Sequence, residues 1–281
     1  MCRSLLLYFL LTRLDSEESV REVKLDISGA VLCSLGLAAT VFGLIEQPRY
    51  GWSPAIITSI VVGILLLIAF VYKEKTNKTN AMLDLSLFKI RNFTVGNLAT
   101  IAIYGGLSVA TFIIVIFLQQ VDGYSALKAG LSLLPVTIIM FGLSPRWGAL
   151  ASKFGPRLFM IVGPMVAAAG FLLMRRVGDP VSYTTQLLPA VILFAIGLSM
   201  TVSPLTSAVL RDVDKKENGI ASAVNNAISR IAGLITIAVV GVLVGTTLTL
   251  NGFHTVIIFT AVLLFCGGII SLIGIRNSKT I

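Results

Sequence analysis

Along most of this chain apolar residues run on without the alternation of a strand, and polar residues arrive in short clusters between the runs. Eight runs approach the roughly 20 mostly apolar residues that a bilayer span needs. They lie near 27–46, 54–72, 93–118, 130–151, 158–175, 185–209, 225–247 and 253–275. Strands of a membrane barrel alternate polar and apolar residues, and these runs do not. The expected fold is all-α: a polytopic membrane protein of about eight transmembrane helices. A further run, LLLYFLL (5–11), is too short to span and is followed by a charged stretch from Arg13 to Asp26. A signal peptide would continue into a small-x-small cleavage site, whereas TRLDSEE follows here. The run instead suggests the cytoplasmic end of a helix whose first half is missing, and hence a truncated chain.

The longest polar interruption, KEKTNKTNAMLDLSLFKIRN (73–92), divides a two-helix hairpin (27–72) from a six-helix block (93–281) and leaves residues 1–26 as a helix remnant and linker. Pro48, Gly51 and Pro54 punctuate the hairpin turn, and Tyr50 and Trp52 suit a membrane interface. Short loops in the block predict antiparallel neighbours. Within it, Asn97, Thr100, Tyr104, Ser108 and Thr111 recur at spacings of three and four and lead on to Gln119, forming one stripe of a helix. A shorter stripe holds Ser199, Ser203 and Thr206. In lipid such stripes face either a water-filled cavity or other helices, with which Ser, Thr and Asn form hydrogen bonds. Both readings stand for both stripes.

The lead-in to the span near 225–247 carries a small-residue face (Gly219, Ala223, Ala227) and a polar face (Ser222, Asn226, Arg230), with Asn225 beside it. Gly241 and Gly245 repeat the small-xxx-small pattern, which suits close helix packing. Arg230 is expected near the cytoplasmic end, snorkelling to the interface or pairing with Asp212 or Asp214.

Composition agrees with this picture: 56% of the 281 residues are hydrophobic and 12% charged, with mean hydropathy +0.94. The net charge of +9 does not indicate nucleic acid. With alternating spans and a cytoplasmic amino end, seventeen Lys and Arg fall inside and four (Arg49, Lys128, Arg175, Arg176) outside, with Arg230 at a helix end. The positive-inside rule then puts both termini in the cytoplasm. The Arg175–Arg176 pair is discordant. None of the thirteen carboxylates lies in the middle of an apolar run, so the usual intramembrane proton carriers are missing from the spans. Three cysteines without metal or disulfide spacing and a single histidine, His254, make neither a metal site nor a catalytic triad. The sequence contains no P-loop pattern GxxxxGK[ST], so direct ATP drive has no support, and no cofactor is expected.

Four segments together resemble the major facilitator superfamily, most closely its fourteen-helix drug:proton antiporter branch: LQQVDGYSALKAGLSLLP (118–135), GALASKFGPR (148–157), the helix containing Pro204, and NGIASAVNNAISRIAG (218–233). The resemblance runs in order from about Leu25 to the end. It implies that residues 5–14 end helix six, that 27–72 are the two extra helices, and that 93–275 are the second bundle. The segment 148–157 is similar to the inter-helix motif G-x-L-a-D-R-x-G-R-K, which in the family gates the cytoplasmic side through charge contacts. Gly148, Leu150, Lys153, Gly155 and Arg157 fit it, while Ser152 replaces the acid and Pro156 a basic residue. A tight basic turn obeying positive-inside explains Lys153 and Arg157 equally well.

The resemblance implies a multi-pass protein of the cell membrane, part of a proton-coupled multidrug efflux permease. Its substrates would be lipophilic, often cationic compounds, and its other partners the lipid bilayer and a missing amino-terminal six-helix half. The family's marked proton-coupling residues lie in that absent half. The Asn97–Thr111 stripe with Gln119, and Ser199 and Ser203, are the candidates for a cavity wall. The alternative is a non-transporting membrane subunit that pairs with, or regulates, a full-length or split transporter. An intramembrane enzyme would need clustered His, Asp, Ser or Cys in the spans, which are absent.

Overall fold

The computed structural model describes residues 26–76, 85–245 and 247–277, so the LLLYFLL run and the stretch 77–84 lie outside the described residues. Eight helical segments among them are long and apolar enough to cross a membrane, and no strand occurs among them. The helices are α1 (Ile27–Tyr50), α2 (Pro54–Thr76), α3 (Arg91–Gln120), a short α4 (Ala126–Leu131), α5 (Leu134–Phe154), α6 (Arg157–Leu173), α7 (Leu188–Leu210), α8 (Asn218–Val244) and α9 (Leu250–Gly274). A 3-10 turn, Leu85–Lys89, leads into α3.

Two spans differ from the expected ones for identifiable reasons. The run near 130–151 is not one helix: α4 stops at Leu131 and α5 restarts at Leu134 with Pro135 in its first turn. Proline has no N–H and its ring collides with the carbonyl four residues back, so a helix restarts there more readily than it continues. The run near 225–247 is helical from Asn218 and closes at Gly245, whose φ of 78° is a left-handed cap and whose N–H reaches the Gly241 carbonyl at 2.9 Å. Hydropathy marks where side chains become apolar, whereas backbone hydrogen bonding carries the helix through the polar turns before that point. This shift changes the place of Arg230, as described below.

Glycines set how closely the helices pack. A Cβ on Gly63 of α2 would lie 2.6 Å from the Thr40 backbone nitrogen of α1, and Ser59 Oγ donates to the Ala39 carbonyl across the same contact at 2.8 Å. At the open end of this hairpin Lys73 forms an ion pair with Asp26, which also caps α1 by accepting from the Gly29 N–H at 2.9 Å. Between α6 and α7 a Cβ on Gly197 would stand 2.6 Å from the Gly163 carbonyl. Without a hydrophobic drive between helices in lipid, such backbone contact is a main source of association.

Helices α3, α6, α7 and α9 form the centre. There Phe117 stacks on Phe253 with ring centroids 3.9 Å apart, and Phe171 meets Phe194 edge-on at 5.3 Å. Helices α5 and α8 lie at the flanks, α5 against α7 and α8 against α3, and α1 meets the outer side of α8. Consecutive helices α5 and α6 scarcely touch, although two residues join them. A two-residue connection thus does not make α5 and α6 packing neighbours, whereas α6 and α7 pack closely.

Candidate functional site

Helix α8 shows one row of residues to α3. Asn225 Nδ2 donates to Asn97 Oδ1 at 2.9 Å and to Thr100 Oγ1 at 2.8 Å. Thr100 in turn donates to the Gly96 carbonyl at 2.8 Å and Asn97 Nδ2 to the Phe93 carbonyl at 2.9 Å. Asn97 and Thr100 are buried, so this end of the stripe is an interhelical polar knot with every member bonded. Beyond it two glycines bring the backbones together: Gly233 of α8 abuts Ser108, and a Cβ on Gly105 of α3 would stand 2.6 Å from Thr236 Oγ1. The small residues Gly219, Ala223 and Ala227 take no part in this packing, because they lie exposed on another face. A Cβ on Gly241 would meet nothing within 4 Å, and Gly245 is the helix cap.

Beside this contact row runs a groove of about 480 Å³, within the range of small-molecule pockets. Tyr104, Leu107 and Ser108 line it from α3, and Asn226, Ser229, Arg230, Gly233, Leu234 and Ile237 from α8. Ser229 donates to the Asn225 carbonyl at 2.8 Å. Arg230 lies twelve residues into α8 and Tyr104 thirteen into α3, each about 18–20 Å along its helix at 1.5 Å per residue. Both stand near the middle of their helices. Arg230 is therefore not at a span end, and it pairs with neither Asp212 nor Asp214: Asp212 accepts from Asn92 Nδ2 at 2.6 Å. An arginine at a helix centre costs about 2.5–3.5 kcal/mol on insertion scales, and such residues face protein or a water-filled cavity. The same seam opens again farther along, where Phe112, Gln120, Val240 and Leu248 line a smaller cavity of about 180 Å³.

The other candidates are spread out. Thr111 is exposed and bonds the Leu107 and Ser108 carbonyls of its own helix at 3.2 and 3.1 Å; Gln119 reaches the Val115 carbonyl at 3.3 Å. On α7, Ser199 is fully buried and donates to the Ile196 carbonyl at 2.7 Å, while Ser203 lies against Gly148 of α5. Ser222 is exposed, away from the groove. No group of His, Cys, Asp and Glu able to hold a metal occurs among the described residues. His254 Nε2 lies 3.0 Å from the Val177 carbonyl, a structural contact to the α6–α7 connection.

The segment 148–157 is largely helix. Gly148 to Lys153 occupy the last turns of α5, and Ser152 Oγ donates back to the Gly148 carbonyl at 3.0 Å. Gly155, with φ at 87°, caps the helix, and Arg157 opens α6. Arg157 donates to the Leu272 carbonyl at 3.0 Å, and Arg91 to those of Ile273 at 3.1 Å and Gly274 at 2.8 Å. Asn92 exchanges bonds with the backbone of Arg276, both at 3.0 Å. These contacts satisfy the otherwise orphaned carbonyls at the end of α9 and place cations at its negative pole. Sequence spacing gave no hint of them, because the partners are more than a hundred residues apart.

The class this geometry defines is a polytopic helical membrane protein with a polar groove at mid-depth between two helices. The match to the family model described as "Major Facilitator Superfamily" covers residues 27–237, and the chain belongs to that superfamily. Similar proteins include "Uncharacterized MFS-type transporter YhcA" of Bacillus subtilis, 31% identical over 76% of this chain and 40% of its own length. "Lincomycin resistance protein LmrB" of Listeria monocytogenes is 29% identical over 78% of this chain and 46% of its own. "Multidrug resistance protein Stp" of Mycobacterium tuberculosis is 28% identical over 85% of this chain and 44% of its own. Two of these three relatives carry drug-resistance names. The chain spans less than half the length of these relatives.

Proposed function

We propose that this chain is the carboxy-terminal portion of an efflux permease for lipophilic small molecules and forms one wall of its transport pathway. The observation that carries the reading is the groove between α3 and α8, in which Tyr104, Ser108, Asn226 and Arg230 gather beside Leu107, Leu234 and Ile237 near the middle of both helices. Transporters of alternating-access type place the substrate site there, at the interface of two halves that rock about it. The relatives' names, which include lincomycin and multidrug resistance, support efflux as the direction. Proton coupling then falls to an amino-terminal six-helix half, since the described spans hold no carboxylate at mid-depth. The excess of Lys and Arg at one end of the bundle supports cytoplasmic termini. In this arrangement the α5–α6 connection and the arginine-capped end of α9 lie at the cytoplasmic mouth, where the 148–157 segment would help to close the pathway.

The test is dye accumulation in bacteria stripped of their own efflux pumps. Cells making only this chain are expected to retain a lipophilic dye. Cells that also make the amino-terminal six helices of the Bacillus subtilis relative are expected to expel it, and Ser108→Leu should reduce that export. Export by the chain alone would remove the half-transporter reading. A lack of export from the pair, with both parts in the membrane, would remove the transport reading.

A further inference from the structure

The polar groups of the groove share a chemical bias. Tyr104, Ser108, Asn226 and Arg230 have no side-chain hydrogen-bond partner among the described residues, and Arg230 has no ion-pair partner among them. All four can donate, and the guanidinium alone offers five N–H groups in a planar fork. It is also the only ionised group in the lining. The nearest acid earlier on its own helical stretch, Glu217, precedes α8 and lies thirteen residues away, about 20 Å along the axis. The apolar part of the lining, Leu107, Leu234 and Ile237, flanks these donors. A cation placed there would meet like charge, whereas a carboxylate would meet the fork bidentately with hydroxyl and amide donors beside it.

We infer that the groove is an anion-reading site: it takes amphipathic molecules that combine a hydrophobic body with a carboxylate, the carboxylate docking on Arg230. This rests on the reading of the groove as a ligand site and narrows its substrate class, against the cationic compounds expected from family resemblance. The hydrocarbon or aryl body would lie on Leu107, Leu234 and Ile237. Tyr104, Ser108 and Asn226 would take the oxygen lone pairs left over by the guanidinium.

The experiment measures binding to the purified full chain in phosphatidylcholine nanodiscs. The probes share one hydrophobic body and differ in headgroup: pyrenebutyrate, pyrenebutanol and pyrenebutylamine. Empty nanodiscs supply the partition background. The expected result is that the carboxylate binds about tenfold or more tightly than the alcohol, in line with a charge-assisted pair, and that the amine binds most weakly. Arg230→Gln should bring the carboxylate to within about threefold of the alcohol, and Arg230→Lys should keep part of the preference. Arg276→Gln, an arginine change outside the groove, should leave the ratio as it was and controls for net charge. Equal binding of the three probes, or a carboxylate preference that survives Arg230→Gln, overturns the inference but leaves a ligand groove standing. Absence of binding by all three above background overturns both.

Discussion

Replacing Asn225 by alanine tests whether the α3–α8 contact depends on its buried polar knot. The substitution removes two interhelical hydrogen bonds, to Asn97 Oδ1 and Thr100 Oγ1. Interhelical bonds in membrane proteins average about 0.6 kcal/mol and reach about 1.7, so the bonds alone are worth about 1–3 kcal/mol. Asn97 is 2% exposed, so its carbonyl oxygen is left without a donor, and an orphaned buried group costs about 1–3 kcal/mol in its own right. These overlap, because the loss of the bond and the orphaning of its acceptor are one event. The expected destabilisation is therefore about 1–3 kcal/mol. The assay is reversible unfolding of the whole chain in mixed micelles, run as a cycle with Asn97→Ala. In the Asn97→Ala background only the Thr100 bond remains to be lost, so the cost of Asn225→Ala should drop by about 0.6–1.7 kcal/mol. A cost below about 0.5 kcal/mol, or zero coupling in the cycle, would refute the claim that these residues hold the two helices together.

Gly63→Val should lower the stability of the whole chain by at least about 1–3 kcal/mol in the same unfolding assay, since any Cβ meets the Thr40 backbone. Arg230→Leu should make insertion of the α8 segment more favourable by about 3–4 kcal/mol in a glycosylation-reporter assay, because a mid-helix arginine costs about 2.5–3.5 kcal/mol and leucine adds a gain of about 0.3–0.6. Arg91→Ala with Arg157→Ala should speed amide exchange in the last turn of α9 by about threefold to tenfold, as the carbonyls they cap are released to water. The hydrogen bond from Lys73, helped by the Gly29 N–H, holds the Asp26 carboxyl at about 2, below its ordinary 3.8. A lowered folded-state value gives stability that is complete above the unfolded value and is lost as pH falls through about 2. The stability difference between the chain and its Asp26→Asn variant should thus stay flat from pH 8 to pH 5, and a difference that changes across that interval would contradict the assignment.

The eight spans and the all-α class were legible because a bilayer enforces length and apolarity with little help from tertiary context. The polar stripe on α3 was legible as a stripe, and periodicity could not say which of its residues had partners. That depends on what α8 presents: Asn225 reaches Asn97 and Thr100, while Tyr104 and Ser108 meet a groove. Arg230 was misplaced because hydropathy located the start of α8 about two turns late, moving a mid-helix charge to a span end. The break before Pro135 carried a local signal in the proline itself. The capping of α9 by Arg91 and Arg157 carried none, since it joins residues 115 to 183 positions apart.

The residues that pack α8 also determine what Arg230 can do. Asn225, Ser229, Gly233 and Thr236 follow one another at spacings of four, four and three, so they form a single row, and this row faces α3. Arg230 and Asn226 each come one residue, about 100°, after a member of the row, which is why they line the groove instead of the contact. With Gly233 against the Ser108 side chain and Gly105 against that of Thr236, the seam has no room for a side chain at either glycine, which ties α8 to this face. Asn225 fixes its height by bonding two side chains on α3 at once. A long flexible arginine on a lone helix would snorkel toward the nearest interface. Here its Cα is held at the middle of α8, with Tyr104 lining the same groove from α3. The packing that stabilises the helix pair thus keeps the guanidinium where its insertion cost is highest, and an anion bound there offsets that cost.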